Sequence, residues 1–277
     1  MRIDAHQHFW ALSRGDYGWL TPQDHPAICR DFGPADLSPL LEDAAVERTV
    51  LVQAAPTLAE TQFLLGIAAA TPFVAGVVGW VDFESPDVRQ AIESLARNPN
   101  LLGLRPMLQD LPDDAWIARP AVAPALEALE GAGLRFDALV LPRHLSHLAR
   151  LLSRRPELTV VIDHGAKPNI AAGDLSGWAA SMRAIARDTS ACCKLSGLVT
   201  EASPDWREED LRPFTDVLIE AFGAARLMWG SDWPVVNEAG GYAAWRATAE
   251  ALTAGCSEDE RSLIFGGTAA TFYGISA

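Results

Sequence analysis

Two histidines one residue apart, His6 and His8, open the chain in the stretch Asp4-Ala5-His6-Gln7-His8-Phe9-Trp10. Residues two apart on a strand share a face, so both imidazoles would project together from a strand end. Such a pair can hold a divalent metal, or it can bind and polarise a substrate oxygen. The spacing leaves both chemistries open. Further polar residues end or follow short apolar runs: Gln53, Arg105, Asp137, His164 and Lys194, and Asp232 in Trp229-Gly230-Ser231-Asp232-Trp233-Pro234. Singly, each has a structural explanation. Asp232 could cap a turn, Arg105 could pair with Asp137, and Lys194 could extend along an apolar wall to reach water.

The runs that carry these residues are β-branched and apolar. The stretch at 49–53, Thr49-Val50-Leu51-Val52-Gln53, is typical, and runs at 73–81, 101–104, 134–137, 158–163, 192–195 and 227–230 continue the series after the first strand. Helical patterns follow them, at 142–155, 175–187, 211–222 and 242–254 among others. Start signals support the alternation: Ser38-Pro39 as cap and first helical residue, and the capping boxes Thr57-Leu58-Ala59-Glu60 and Ser257-Glu258-Asp259-Glu260, the last opening a helix over 258–273. Eight strand–helix units in one domain spanning 1–277 predict a (β/α)8 TIM barrel. A doubly wound open sheet fits less well, because no phosphate-binding glycine loop follows any strand. In a barrel, chemistry is built at the carboxyl ends of the strands, and the polar residues above converge there. His25, His144 and His147 do not; the last two, three apart on a helix, read as surface or packing residues.

The formal net charge of −14 disfavours nucleic-acid or anionic-membrane partners and favours a small ligand. No run approaches the roughly 18 apolar residues of a membrane span, and the start of the chain reads as a strand, so the expectation is a soluble, cytoplasmic protein. Self-association into a homo-oligomer stays open. The four cysteines, Cys29, Cys192, Cys193 and Cys256, form no framework and read as reduced thiols.

Over nearly its whole length the chain resembles the amidohydrolase superfamily, in its sugar-lactonase branch. The resemblance rests on the 4–10 stretch and on Asp16-Tyr17-Gly18-Trp19-Leu20, Val52-Gln53-Ala54 and Gly103-Leu104-Arg105. It continues through Ile162-Asp163-His164, Lys194-Leu195-Ser196-Gly197-Leu198 and Gly230-Ser231-Asp232-Trp233-Pro234. It implies a strand-one pair at His6 and His8, a strand-six histidine at His164 and a strand-eight acid at Asp232. Where two-metal members carry a lysine or glutamate on strand four and a histidine on strand five, this chain has Arg105 and Asp137, which argues against a two-metal site. The implied reaction is opening of a sugar (aldono)lactone such as L-fuconolactone to the sugar acid, with no required cofactor.

Ester hydrolysis needs a base for water, donors for the developing oxyanion and an acid for the leaving alkoxide. Asp232 is expected to be the base. His6, His8 and His164 would orient water and polarise the carbonyl, Arg105 or Lys194 would bind substrate oxygen, and Gln53, Trp10, Asp137 and Trp233 would contact the sugar. The competing reading is a mononuclear zinc enzyme, an amide hydrolase or decarboxylase of a small organic acid, with His6, His8, His164 and Asp232 as ligands. A barrel that only binds a sugar acid as a sensor would have no need of that base.

Overall fold

The computed structural model describes residues 1–276. Eight strands, β1 (Ile3–Gln7), β2 (Arg48–Val52), β3 (Val74–Gly79), β4 (Leu101–Leu104), β5 (Arg135–Ala138), β6 (Val160–Ile162), β7 (Cys192–Leu195) and β8 (Leu227–Trp229), pair in parallel in sequence order. The sheet meets itself at the seam between β8 and β1. There Gln7 bridges to Trp233, the Asp232 N–H donates to the His6 carbonyl at 2.8 Å, and the His8 N–H donates to the Trp233 carbonyl at 2.7 Å. This is the expected (β/α)8 barrel.

The helices α1 (Pro34–Ala44), α2 (Leu58–Ala70), α3 (Val88–Leu95), α4 (Ala123–Ala132), α5 (Leu145–Arg154), α6 (Ser176–Asp188), α7 (Glu208–Phe222) and α8 (Tyr242–Leu252) surround it. Their apolar faces bury a shell that includes Leu37, Leu64, Ile92, Leu129, Leu148, Met182, Leu218 and Trp245. Inside the barrel a second cluster gathers Ile3, Ala5, Val50, Val52, Val78, Val161 and Met228. Ala269, Phe272 and Tyr273 close it from below. A register shift between Asp4 and Gln7 lets β1 turn both Ala5 and His6 toward the interior, the re-aiming that a bulge provides.

Three local expectations are corrected. The first helix begins at Pro34, where the Asp36 carboxylate accepts from the Gly33 N–H at 2.9 Å; Pro39 sits inside it and forfeits one backbone bond. The helix over 258–273 divides into α9 (Glu258–Ser262), a π-helical turn (Leu263–Gly267) and α10 (Thr268–Tyr273), breaking at Gly266-Gly267, two weak helix formers. At the Thr57–Glu60 capping box, Thr57 accepts from the Glu60 N–H, but the Glu60 carboxylate turns to the Ala54 and Ala55 N–H groups. Glu60 thereby ties the loop after Gln53 to α2. All four cysteines are free, as expected.

Candidate active site

The carboxyl ends of the strands enclose a cavity of about 420 Å³, lined by His8, Trp10, Trp19, His25, Arg105, His164, Lys167, Glu201, Asp232 and Glu238 with several apolar and polar neighbours. Its floor is the seam. His6 and His8 leave the end of β1, and the turn after β8 brings Asp232 beside them. The buried Asp4 carboxylate holds the two together by accepting from the Ser231 N–H at 2.8 Å and the His6 N–H at 3.2 Å. Burial pushes that carboxyl up to about 6 against these bonds. Gly230 has no Cβ at the closest approach, where one would stand 2.7 Å from the His6 Cβ.

Asp232 and His164 both adopt left-handed backbone, φ 58° and 53°, a conformation that non-glycine residues seldom hold without compensating contacts. The Asp232 Oδ1 lies 3.2 Å from the His8 Nε2, 3.7 Å from the His6 Nε2 and 3.9 Å from the His164 Nε2. The far nitrogens are held: His8 Nδ1 lies 2.7 Å from the Val52 carbonyl, and His164 Nδ1 lies 2.8 Å from the Ser196 hydroxyl. Burial works against the Asp232 charge, but the surrounding His164, His8 and His6 hold the carboxyl below the usual carboxylate range. Burial pushes His164 down to about 4, and burial together with the Lys194 charge pushes His6 well below its ordinary value. Near neutral pH the floor is therefore an ionised aspartate facing His6 and His164 as neutral imidazoles.

Beneath the floor lies an ion network. Arg105 Nη1 is 3.2 Å from Asp163 Oδ2 and 3.4 Å from His6 Nε2. Its other nitrogen donates to the Gln53 carbonyl and side chain, and Gln53 donates back to the Arg105 carbonyl. Lys194 Nζ meets Asp137 Oδ2 at 2.5 Å and Asp163 Oδ1 at 3.0 Å, and the Tyr273 hydroxyl donates to Asp137 at 2.7 Å.

The structure thus brings His6, His8, His164, Asp232 and Arg105 together, and Trp10 lines the wall. It does not bring Gln53, Asp137, Lys194 and Trp233 to the cavity, where substrate contacts had been expected of them. Gln53, Asp137 and Lys194 are fully enclosed, and Trp233 packs between the rings of Phe9 and Phe32. The long charged side chain of Lys194 is satisfied inside the barrel and has no reason to reach its mouth. Sequence reasoning missed the rim. His25 pairs with Glu238 at 2.9 Å across the mouth, Lys167 pairs with Glu201 at 3.3 Å, and the Trp19 ring stands edge-on to His25. Lys167, Glu201 and Glu238 lie in loops after β6, β7 and β8, which a barrel reading nominates, but no spacing singles them out; His25 sits in a breaker-rich loop with no local signal at all.

The expected zinc set was tested on its donors. His6, His8 and Asp232 place ligand atoms within 4.8 Å of one another, whereas His164 falls in a second group with His6 and Asp163. The 3.2 to 3.7 Å separations in the first group match the edges of a tetrahedron with bonds of about 2.0–2.1 Å. In spacing this set suits an ion. In proton placement it does not suit one at His6, whose Nδ1 lies 3.1 Å from the Lys194 ammonium.

The amidohydrolase family profile matches residues 3–275. The chain belongs to the amidohydrolase family. It is 49% identical to an L-fucono-1,5-lactonase of Burkholderia ambifaria, across 99% of this chain and 96% of the relative. It is 36% identical to an L-fucono-1,5-lactonase of Burkholderia multivorans, over 99% and 96% of the two chains. A crystal structure of a B. multivorans amidohydrolase with bound zinc superposes with a TM-score of 0.93, at 36% identity over the full length of both chains. Among the described residues, no helix of this amidohydrolase is long and apolar enough to cross a membrane.

Proposed function

We propose that this amidohydrolase opens a neutral sugar lactone of the L-fucono-1,5-lactone class to the sugar acid, with Asp232 as the base that activates water. The observation that carries the reading is the floor of the cavity: an ionised carboxylate within 3.9 Å of three histidine Nε2 atoms, with Arg105 Nη1 beside them. The near-full-length likeness to two L-fucono-1,5-lactonases supports the substrate class.

Water held by Asp232 and the histidines attacks the lactone carbonyl as its proton passes to Asp232 Oδ1. A carboxylate this weakly basic gains the proton as the C–O bond forms, rather than beforehand. Charge developing on the carbonyl oxygen meets the Arg105 guanidinium at the cavity wall, with the fully buried His6 behind it, and both are fixed before substrate arrives. When the tetrahedral centre collapses, the ring C–O bond breaks and the proton on Asp232 passes to the departing ring oxygen. Trp10 and Trp19 offer flat apolar faces to the sugar ring, and Glu201 and Glu238 offer acceptors to its hydroxyls. Lys167 is already paired with Glu201 and Arg105 with Asp163, so no uncompensated positive charge awaits a substrate carboxylate.

A pH-indicator assay over a panel of lactones tests the reading. The expected pattern is turnover of neutral 1,5-aldonolactones and little or none of ring-matched lactones bearing a carboxylate. Preference for the acidic lactones, or no turnover of either, overturns it.

A further inference from the structure

Lys194 rises from β7 into the barrel interior and is fully buried. An ammonium has three N–H donors and no acceptor, and three partners surround this one: Asp137 Oδ2 at 2.5 Å, Asp163 Oδ1 at 3.0 Å and His6 Nδ1 at 3.1 Å. Between two carboxylates the amine carries its charge, so His6 Nδ1 must accept. A neutral imidazole has one ring proton, which then sits on Nε2. The neighbouring histidine is set the other way. His8 Nδ1 faces the Val52 carbonyl, an acceptor only, so His8 carries a proton on Nδ1. The two Nε2 atoms meet at 3.2 Å, and His8 Nε2 stands equally close to Asp232 Oδ1.

We propose that Lys194 is a positioning residue: by donating to His6 Nδ1 it fixes the proton on His6 Nε2, making His6 a hydrogen-bond donor toward the reacting centre at the floor and withholding it from a metal ion. The donor half rests on the lactone reading above; the tautomer does not. An opposite arrangement is available in principle. His6 could carry its proton on Nδ1, aimed at Asp163 Oδ1, and accept at Nε2 from Arg105 Nη1 at 3.4 Å. The Nδ1–Asp163 pair is 3.6 Å apart, beyond hydrogen-bond reach, and the Arg105 contact is longer than the 3.1 Å between Lys194 and Nδ1. A lysine that served only to neutralise Asp137 and Asp163 would have no need to touch the imidazole.

The tautomer is read directly in the wild-type protein. The chain has only six histidines, so two-bond 1H–15N spectra of 15N-histidine-labelled enzyme resolve each ring, with His6 assigned from the signals lost in His6→Gln. The expected result is the Nε2–H form at His6 and the Nδ1–H form at His8. An Nδ1–H form at His6 overturns the proposal. Zinc affinity, measured by competition with a chromophoric chelator, gives a second reading. Lys194→Met should bind zinc roughly 10- to 100-fold more tightly than wild type, the range in which such supporting contacts act. Because that variant leaves two buried carboxylates facing each other, Lys194→Met/Asp137→Asn is measured beside it. Unchanged or weaker zinc binding in the folded variants contradicts the proposal. An Nε2–H His6 in a protein that opens no lactone would sink the function and leave the role of Lys194 standing.

Discussion

His8 Nε2 and Asp232 Oδ1 stand 3.2 Å apart across the barrel seam, the first carried by the end of β1 and the second by the turn after β8. Backbone hydrogen bonds between the same two segments fix that distance, so closing the barrel also brings the proposed base to its histidine partner. Asp232→Asn keeps the shape and the turn but cannot take a proton. The expected loss in kcat is about 10²- to 10⁴-fold, the usual contribution of a positioned base, with a thermal midpoint near that of wild type. Steady-state kinetics and a melting curve on the same preparation check both halves.

The pH profile follows from the floor. Asp232 stays ionised to below the usual carboxylate range, and His164, pushed down to about 4, stays neutral above that value. Neither changes form between about pH 5 and 8, so neither should place a limb in kcat/KM there once spontaneous lactone opening is subtracted, and any limb near 6 should belong to Asp4 and disappear in Asp4→Asn. Activity should fall toward about pH 4 as His164 gains its proton. A descending limb centred near the ordinary histidine value that persists in Asp4→Asn would contradict the neutral-imidazole assignment.

Glu60 makes a stability prediction. Burial pushes its carboxyl up from 4.5 to about 7, so the native state keeps a proton that the unfolded chain has released over that interval. Stability therefore falls as pH rises through it, by roughly 3 kcal/mol at about 1.4 kcal/mol per pH unit, and levels off above about 7. Glu60→Gln should remove that share of the slope. Urea unfolding of both proteins at about pH 5, 6 and 7.5 measures it, and parallel slopes would refute it.

Gly197 has φ +61°, and a Cβ placed on it would stand 2.5 Å from the His164 imidazole. Gly197→Ala should therefore displace His164 from Ser196 and from Asp232. The expected kinetic signature is a lower kcat with a smaller change in KM, since the substrate-facing walls are untouched. An equal rise in KM with kcat preserved would place His164 outside the reacting centre.

The rim should behave oppositely. Glu238→Ala removes an acceptor at the mouth and frees His25, while the floor stays intact. Weaker binding of a neutral sugar lactone, seen as a higher KM at nearly constant kcat, is the expected result. The same variant should gain relative activity on lactones carrying a carboxylate, because the mouth then loses a negative charge that repels them.

Much of this was legible in the chain. The alternation of β-branched runs with capped helices gave the barrel, and the barrel turned scattered residues into one face: His6, His8, Arg105, His164 and Asp232 share a site because they sit at strand ends. Whether a strand-end side chain points into the cavity or below it was not legible. Lys194 and Asp137 have the same sequence credentials as Arg105, and only the positions of Asp163, Tyr273 and His6 around them decide that they stay inside. The rim escaped for a different reason: the His25–Glu238 pair joins loops more than 200 residues apart, and no local pattern encodes it. The start of α1 shifted because Gly33-Pro34, rather than Ser38-Pro39, opens the helix.

The most direct measurement is hydrolysis of L-fucono-1,5-lactone by wild-type enzyme before and after exhaustive chelation, with metal content determined in parallel. The account predicts rapid ring opening that survives complete metal removal and is lost in Asp232→Asn. Ring opening that disappears with the metal and returns with zinc, or no ring opening at all, would contradict it.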